Sequence, residues 1–313
     1  MTYRVAALMA MLPPMFWGST YLVTTELLPP DKPLMAATLR ILPVGLFIVL
    51  LTRYRPTADQ WLKLVIVSAL CMSLLHWPLF VSAYRLPGGL AALLVASQPL
   101  IVVILGYALF GARITGNVAL GIFIGLIGVV MVLIVPSKLA WDTIGIIAAF
   151  VAAVSMSLGT LLVKRWKFDI PVFAFTGWQL TIGGLLLLPF ALAFEMPLGD
   201  LETGQIGGYL YLAILGTLIP YFLWFSALRV LDPVLISTLI LLSPISAMVL
   251  GYLVLDQVLT NLQLVGAAAV LAGILISHVP PNKFNFGRSI SLGAKATVPV
   301  PDRSNARTQK EED

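Results

Sequence analysis

The chain has 313 residues, of which 59% are hydrophobic and 11% charged, with a mean hydropathy of +0.99. A soluble domain of this size carries about 25% charged residues, and ten of the charges here fall after Asn282, so the first 282 positions lack the charge to coat a water-soluble globule. That composition excludes a soluble enzyme, a nucleic-acid-binding domain and a disordered protein, and it predicts an all-α integral membrane protein. The formal charge of +5 does not indicate nucleic acid, because the basic residues sit in short connections between apolar runs. Cys71, the one cysteine, has no intrachain partner.

Ten apolar runs are long enough to cross a ~30 Å hydrocarbon layer as helices: 5–27, 34–51, 61–84, 88–111, 117–135, 144–163, 171–194, 209–228, 234–255 and 262–279. Backbone polar groups in lipid must be satisfied internally, which dictates helices here. The apolar stretch after Arg4 continues to Leu27, too long for a cleavable signal. In this first run Trp17, Thr20, Tyr21 and Thr24 share one helical face. Hydroxyls and rings on one stripe suit either a solute cavity or helix packing, with the hydroxyls bonded one turn back.

Arg40 lies six residues into the second run, roughly 9 Å along it. Ala36 and Ala37 share its face, and Glu26 at the end of the first run is the expected counter-charge. A charge that only fixes topology is the alternative. The third run places Ser73, Trp77, Phe80 and Tyr84 on a stripe with His76 beside it. His76 either titrates during transport or stays neutral and hydrogen-bonded. Pro99 and Pro244 interrupt the fourth and ninth runs, freeing the carbonyls of Val95 and Ile240, with Gln98, Ser97, Ser243 and Ser246 beside the breaks. Irregular backbone at that depth is tolerated where it faces protein or a watery cavity, so both prolines are hinge candidates. Gly121, Gly125 and Gly128 in the fifth run, echoed by Gly266, Ala269 and Gly273 in the tenth, are small-residue packing faces. They scaffold the halves or form a homodimer contact. The seventh run offers Trp178 and Gln179, and the eighth offers Thr217, Tyr221 and Trp224.

With the N-terminus inside, inner segments hold nine bases (Arg4, Arg53, Arg55, Lys63, Arg113, Lys164, Arg165, Lys167, Arg229) and outer loops three (Lys32, Arg85, Lys138), which places both termini in the cytoplasm. The polar tail, 282–313, reads as disordered.

The two halves resemble each other. At an offset of 145, Pro99 falls on Pro244, Gly106 on Gly251, Tyr107 on Tyr252, Thr115 on Thr260, Gly121 on Gly266, Leu126 on Leu271 and Gly128 on Gly273. Near the start, Thr20-Tyr21-Leu22-Val23 resembles Thr160-Leu161-Leu162-Val163 at an offset of 140. Five helices per half is an odd number, so the second half enters from the opposite side. The expected domains are 1–139, 140–281 and the tail 282–313, the first two forming inverted five-helix repeats as in secondary transporters, with the substrate site where they meet.

The residues Trp17-Gly18-Ser19-Thr20-Tyr21, Arg40, Pro99 and Gly106, with Pro244 and Gly251 as echoes, resemble the ten-helix EamA branch of the drug/metabolite transporter superfamily over about 5–279. The first of these segments is most similar to pigment-efflux-type exporters of that branch. The resemblance implies two inverted repeats around a central cavity, a bacterial inner-membrane location and export of amino acids, toxic compounds or metabolites. The expected substrate-binding residues are Trp17, Thr20, Tyr21, Thr24, Arg40, His76, Trp77, Gln98, Trp178, Gln179, Tyr221, Trp224 and Ser243. The expected partners are a small molecule and the lipid bilayer. No phosphate loop, metal-spaced Cys/His cluster or intramembrane aspartate pair occurs, so neither ATP, a metal, a cofactor nor catalysis is expected. A channel-like or substrate-sensing membrane protein is the alternative.

Overall fold

The computed structural model describes residues 3–111, 116–133, 142–197, 199–228, 239 and 241–277. Arg113, Thr115, Lys138, Arg229, Ile240 and the tail 282–313 lie outside them. The described residues are helical throughout, without strands. The helices are α1 (Tyr3–Leu27), α2 (Pro33–Thr52), α3 (Ala58–Ser68), α4 (Leu74–Arg85), α5 (Gly88–Ala96), α6 (Gln98–Phe110), α7 (Gly116–Leu133), α8 (Thr143–Trp166), α9 (Val172–Phe194), α10 (Thr203–Ala213), α11 (Ile219–Leu228), α12 (Leu242–Leu255) and α13 (Asn261–Ser277). A π turn, Ala69–Ser73, joins α3 to α4, and a second, Ile214–Leu218, joins α10 to α11. Seven continuous stretches are long and apolar enough to cross a membrane, and α7, α12 and α13 supply three shorter apolar helices. Large apolar side chains such as Leu50, Phe194 and Leu253 point outward, as expected of a protein solvated by lipid.

Local chemistry sets the helix ends. Pro33 opens α2 where its missing N–H costs nothing, and Arg53 closes it in the left-handed conformation. Gln60 Oε1 accepts from the Thr57 amide at the start of α3 (3.1 Å), and Gln205 does the same for Glu202 at α10 (3.1 Å). Asp142 Oδ1 accepts from the Gly145 amide at the start of α8 (2.8 Å). The offset of 145 carries α3 onto α10, the first π turn onto the second, and the Thr57–Gln60 cap onto Glu202–Gln205. The offset that relates the prolines and glycines thus also relates two helix caps and two π turns.

Packing is reciprocal. Gly45 of α2 abuts Leu180 and Thr181 of α9, whereas Gly184 of α9 abuts Leu42 of α2. Ascending α2 thus descends α9, so the two helices are antiparallel. Gly128 of α7 meets Gly266 and Val270 of α13, and Gly273 of α13 meets Gly121 and Gly125 of α7, again antiparallel. The glycine faces bring these backbones together because any Cβ would collide with the facing helix. Across the middle, α1 packs on α11 and α12, and α8 packs on α4 and α6.

Candidate functional site

A cavity of about 750 Å³ lies between these helices. Its wall takes Trp17, Thr20 and Tyr21 from α1, Arg40 from α2, His76 from α4, Gln98 and Pro99 from the α5–α6 break, Thr160 from α8, Gln179 from α9, Tyr221 and Trp224 from α11 and Ser243 from α12. That volume suits a small molecule. Trp17 is the hub of an aromatic cluster, with ring centroids 6.0 Å from Tyr221 and 5.5 Å from Trp224.

Four pairs of lining residues stand at the offsets at which the two halves of the sequence resemble each other, or within one residue of them. Gln98 and Ser243, and His76 and Tyr221, are related by 145. Thr20 and Thr160 are related by 140, and Arg40 and Gln179 by 139, the spacing that also relates the reciprocal Gly45 and Gly184 contacts. These pairs meet in one space with different side-chain chemistry.

Arg40 is 5% exposed. Its Nε donates to Thr217 Oγ1 at 3.2 Å and its Nη2 to the Gly216 carbonyl at 3.1 Å, while the Phe80 ring lies 5.8 Å from the guanidinium carbon. Gly216 and Thr217 belong to the second π turn. Gly216 lies four residues before Pro220, which has no N–H to return to it, so its carbonyl lacks the usual helical donor, and Arg40 takes it. The expected Arg40–Glu26 pair does not form, because the arginine turns into the bundle while Glu26 stays exposed. Arg85–Asp142, at 2.9 Å, is the ion pair among the described residues.

His76 Nδ1 lies 2.9 Å from the Met72 carbonyl. A carbonyl only accepts, so Nδ1 carries the proton and Nε2 is left as the acceptor of the neutral ring. At the break before Pro99, Ser97 Oγ donates to the Leu94 carbonyl at 2.6 Å, one residue before the Val95 carbonyl that Pro99 leaves without its helical donor.

Three expected site residues do not reach the wall. Thr24 is buried and its hydroxyl donates to the Thr20 carbonyl at 2.7 Å, the one-turn-back bond that suits packing. Trp77 is 39% exposed and points away. The lining face of this span is Met72, His76 and Leu79, one residue off the aromatic stripe. Trp178 donates its indole N–H to the Tyr54 carbonyl (3.0 Å) and packs edge-on against Trp61 (5.0 Å). Pro244 is buried beside the lining residue Ser243. Missed were Thr160, legible as the echo of Thr20, and Lys164 and Lys167, which had been read only as orienting charges.

The cavity opens where the α8–α9 connection runs, since exposed Lys164, Lys167 and Val172 line it there. The antiparallel register puts Arg40 at the level of about residue 186 of α9, roughly 20 Å from that mouth at 1.5 Å per residue. The opposite end is tied shut. Glu195 accepts from the amides of Leu34 (2.8 Å) and Met35 (2.7 Å) at the start of α2, and Lys32 Nζ donates to the Glu195 carbonyl at 2.6 Å. The Tyr84 hydroxyl donates to the Pro29 carbonyl at 2.9 Å.

A lipid-solvated helical bundle around a solute-sized, one-ended cavity defines a membrane transport protein. The chain matches the EamA-like transporter family over residues 4–134 and 143–279, and it belongs to that family. It is 41% identical to protein PecM of Dickeya dadantii over 266 residues, covering 84% of this chain and 89% of that one. It is 32% identical to a chloroplastic WAT1-related protein of Arabidopsis thaliana, covering 85% and 67%. Identity is 27% to a probable amino-acid metabolite efflux pump of Escherichia coli, covering 88% and 95%. A solved crystal structure shares the fold at a TM-score of 0.61 and 19% identity, over 88% of this chain and 97% of that one. The protein is a multi-pass membrane transporter, not an enzyme.

Proposed function

We propose that the protein exports a small amphiphilic metabolite, amino acid or toxic compound across the bacterial inner membrane by alternating access. In this reading 1–139 and 140–281 are inverted five-helix repeats, both termini are cytoplasmic, and the described conformation opens inward past Lys164 and Lys167. The observation that carries it is the convergence of four repeat-related pairs on one cavity, because a site at the seam is reached from either side as the halves rock. The antiparallel packing of α2 with α9 and of α7 with α13 supports opposite insertion of the halves. Similarity to a probable amino-acid metabolite efflux pump supports export.

The test is uptake into inverted membrane vesicles of a panel of amino acids, aromatic acids and dyes. Accumulation lost in Trp17→Ala and Trp224→Ala at unchanged expression is the expected result. Accumulation that persists in both variants refutes the site.

A further inference from the structure

The charged part of the cavity wall has one sign. Arg40, Lys164 and Lys167 line it, and among the described residues no aspartate or glutamate does. Arg40 is the deepest of the three. Its Nε and Nη2 are held by Thr217 and the Gly216 carbonyl, whereas Nη1 makes no hydrogen bond among the described residues. Neither acceptor is charged, so the guanidinium is fixed in position with its charge uncompensated. On the same cavity wall, the Thr20 hydroxyl is buried without a hydrogen-bond partner among the described residues. Tyr21 and Tyr221 line the same cavity, and Tyr221 belongs to the aromatic cluster around Trp17 that includes Trp224.

We propose that the transported solutes are small organic anions with a planar apolar body, whose carboxylate is held by Arg40 and the Thr20 hydroxyl while the body lies against Trp17, Tyr221 and Trp224. This rests on the reading of the cavity as the substrate site and narrows it. A guanidinium with a spare N–H and an unpartnered hydroxyl on the same wall match a carboxylate, and a charged acceptor binds such donors more strongly than a neutral one. An amino-acid zwitterion brings an ammonium group that finds no carboxylate on the wall and faces three cations. A neutral amide leaves the Arg40 charge without a counter-ion. Lys164 and Lys167 at the mouth raise the local concentration of anions before they reach the deep site.

The test uses the purified full chain and four probes with one phenyl-alkyl skeleton: 3-phenylpropionate, phenylalanine, phenethylamine and 3-phenylpropionamide. Binding is read by quenching of intrinsic tryptophan fluorescence and checked by calorimetry. The wild type is expected to bind 3-phenylpropionate at least about tenfold more tightly than the other three. Arg40→Gln is expected to level the four affinities, Arg40→Lys to restore part of the preference, and Trp17→Ala to weaken all four together. Wild-type phenylalanine or amide binding as tight as the anion's overturns the proposal, as does a preference that survives Arg40→Gln. Where Arg40→Gln does not fold, the wild-type series and Arg40→Lys decide alone. If the wild type binds none of the four, the reading of the cavity as a substrate site fails too; binding without anion preference sinks only the anion assignment.

Discussion

Glu195 is a single carboxylate that ties the end of α9 to the start of α2, directly opposite the mouth. Burial raises its carboxyl above the ordinary carboxylate range, although the Met35 and Leu34 amides and Lys32 pull the other way. In the proposed transport cycle this end opens, and there the same carboxyl is hydrated and titrates near ~4.3. A group whose pKa is raised in the closed form binds protons more tightly there. Protonation thus favours closure, and that contribution is lost as pH rises through the raised value. Leu28, buried beside this tie, reports on it. Labelling of Leu28→Cys by an impermeant maleimide, normalised to an exposed control cysteine, is expected to speed up as pH rises from about 4 towards neutrality. Glu195→Gln should flatten that dependence. A normalised rate independent of pH in the parent protein would show that Glu195 does not latch the outer end.

Helix ends and helix faces each make a measurable demand. Asp142 caps α8 through the Gly145 amide and also meets exposed Arg85. The amide bond is the first cause holding its carboxyl below the usual range, so the stability it gives is present at neutral pH and lost as pH falls through the lowered value. Asp142→Ala should cost about 0.5–2 kcal/mol through the lost cap, whereas Arg85→Ala should cost under about 1 kcal/mol, as exposed pairs do. Thermal unfolding in detergent at pH 7 compares them, and equal losses would contradict the ranking. On the faces, Gly128→Leu forces α7 off the Gly266 and Val270 backbone and should cost about 1–3 kcal/mol or more. Gly111→Ala meets no neighbouring atom and suffers only the left-handed backbone, about 1–2 kcal/mol. A Gly128→Leu protein that melts with the wild type would refute close α7–α13 packing. Most of these helices were legible in the sequence, because apolar runs in a membrane leave the backbone no other choice. The π turns were not, since the residues Ala69–Ser73 and Ile214–Leu218 look like ordinary apolar helix. That gap displaced one part of the site. Reading aromatics as a stripe selected Trp77, while the face turned to the cavity carries His76. Arg40 was legible as a site residue, but its partner is the Gly216 carbonyl rather than an acid; Pro220 four residues on leaves that carbonyl without its helical donor, a signal applied to Pro99 and Pro244 and not to Pro220.

For the molecule as a whole, alternating access and a channel-like pore differ in one requirement. A carrier must break the outer tie between the halves in every cycle, and a pore need not. α1 and α10 belong to different halves and meet at that end, where a Cβ on Gly208 would lie 2.9 Å from the Leu27 Cβ. A disulfide wants about 3.5–4.5 Å between those atoms, so Leu27→Cys with Gly208→Cys needs only a small separation of the helices to form. Cys71 is buried on the cavity wall, so the pair is made in a Cys71→Ser background. Oxidised, the pair should hold the outer end shut: solute still quenches tryptophan fluorescence from the inner mouth, while transport in vesicles stops and returns on reduction. Transport that continues through the crosslinked protein, with the disulfide verified by mass, would mean that the halves do not part here and that alternating access at this seam is wrong. Loss of both binding and transport on oxidation would mean instead that the link distorts the cavity, and a pair placed farther from Trp17 would be needed to separate the two steps.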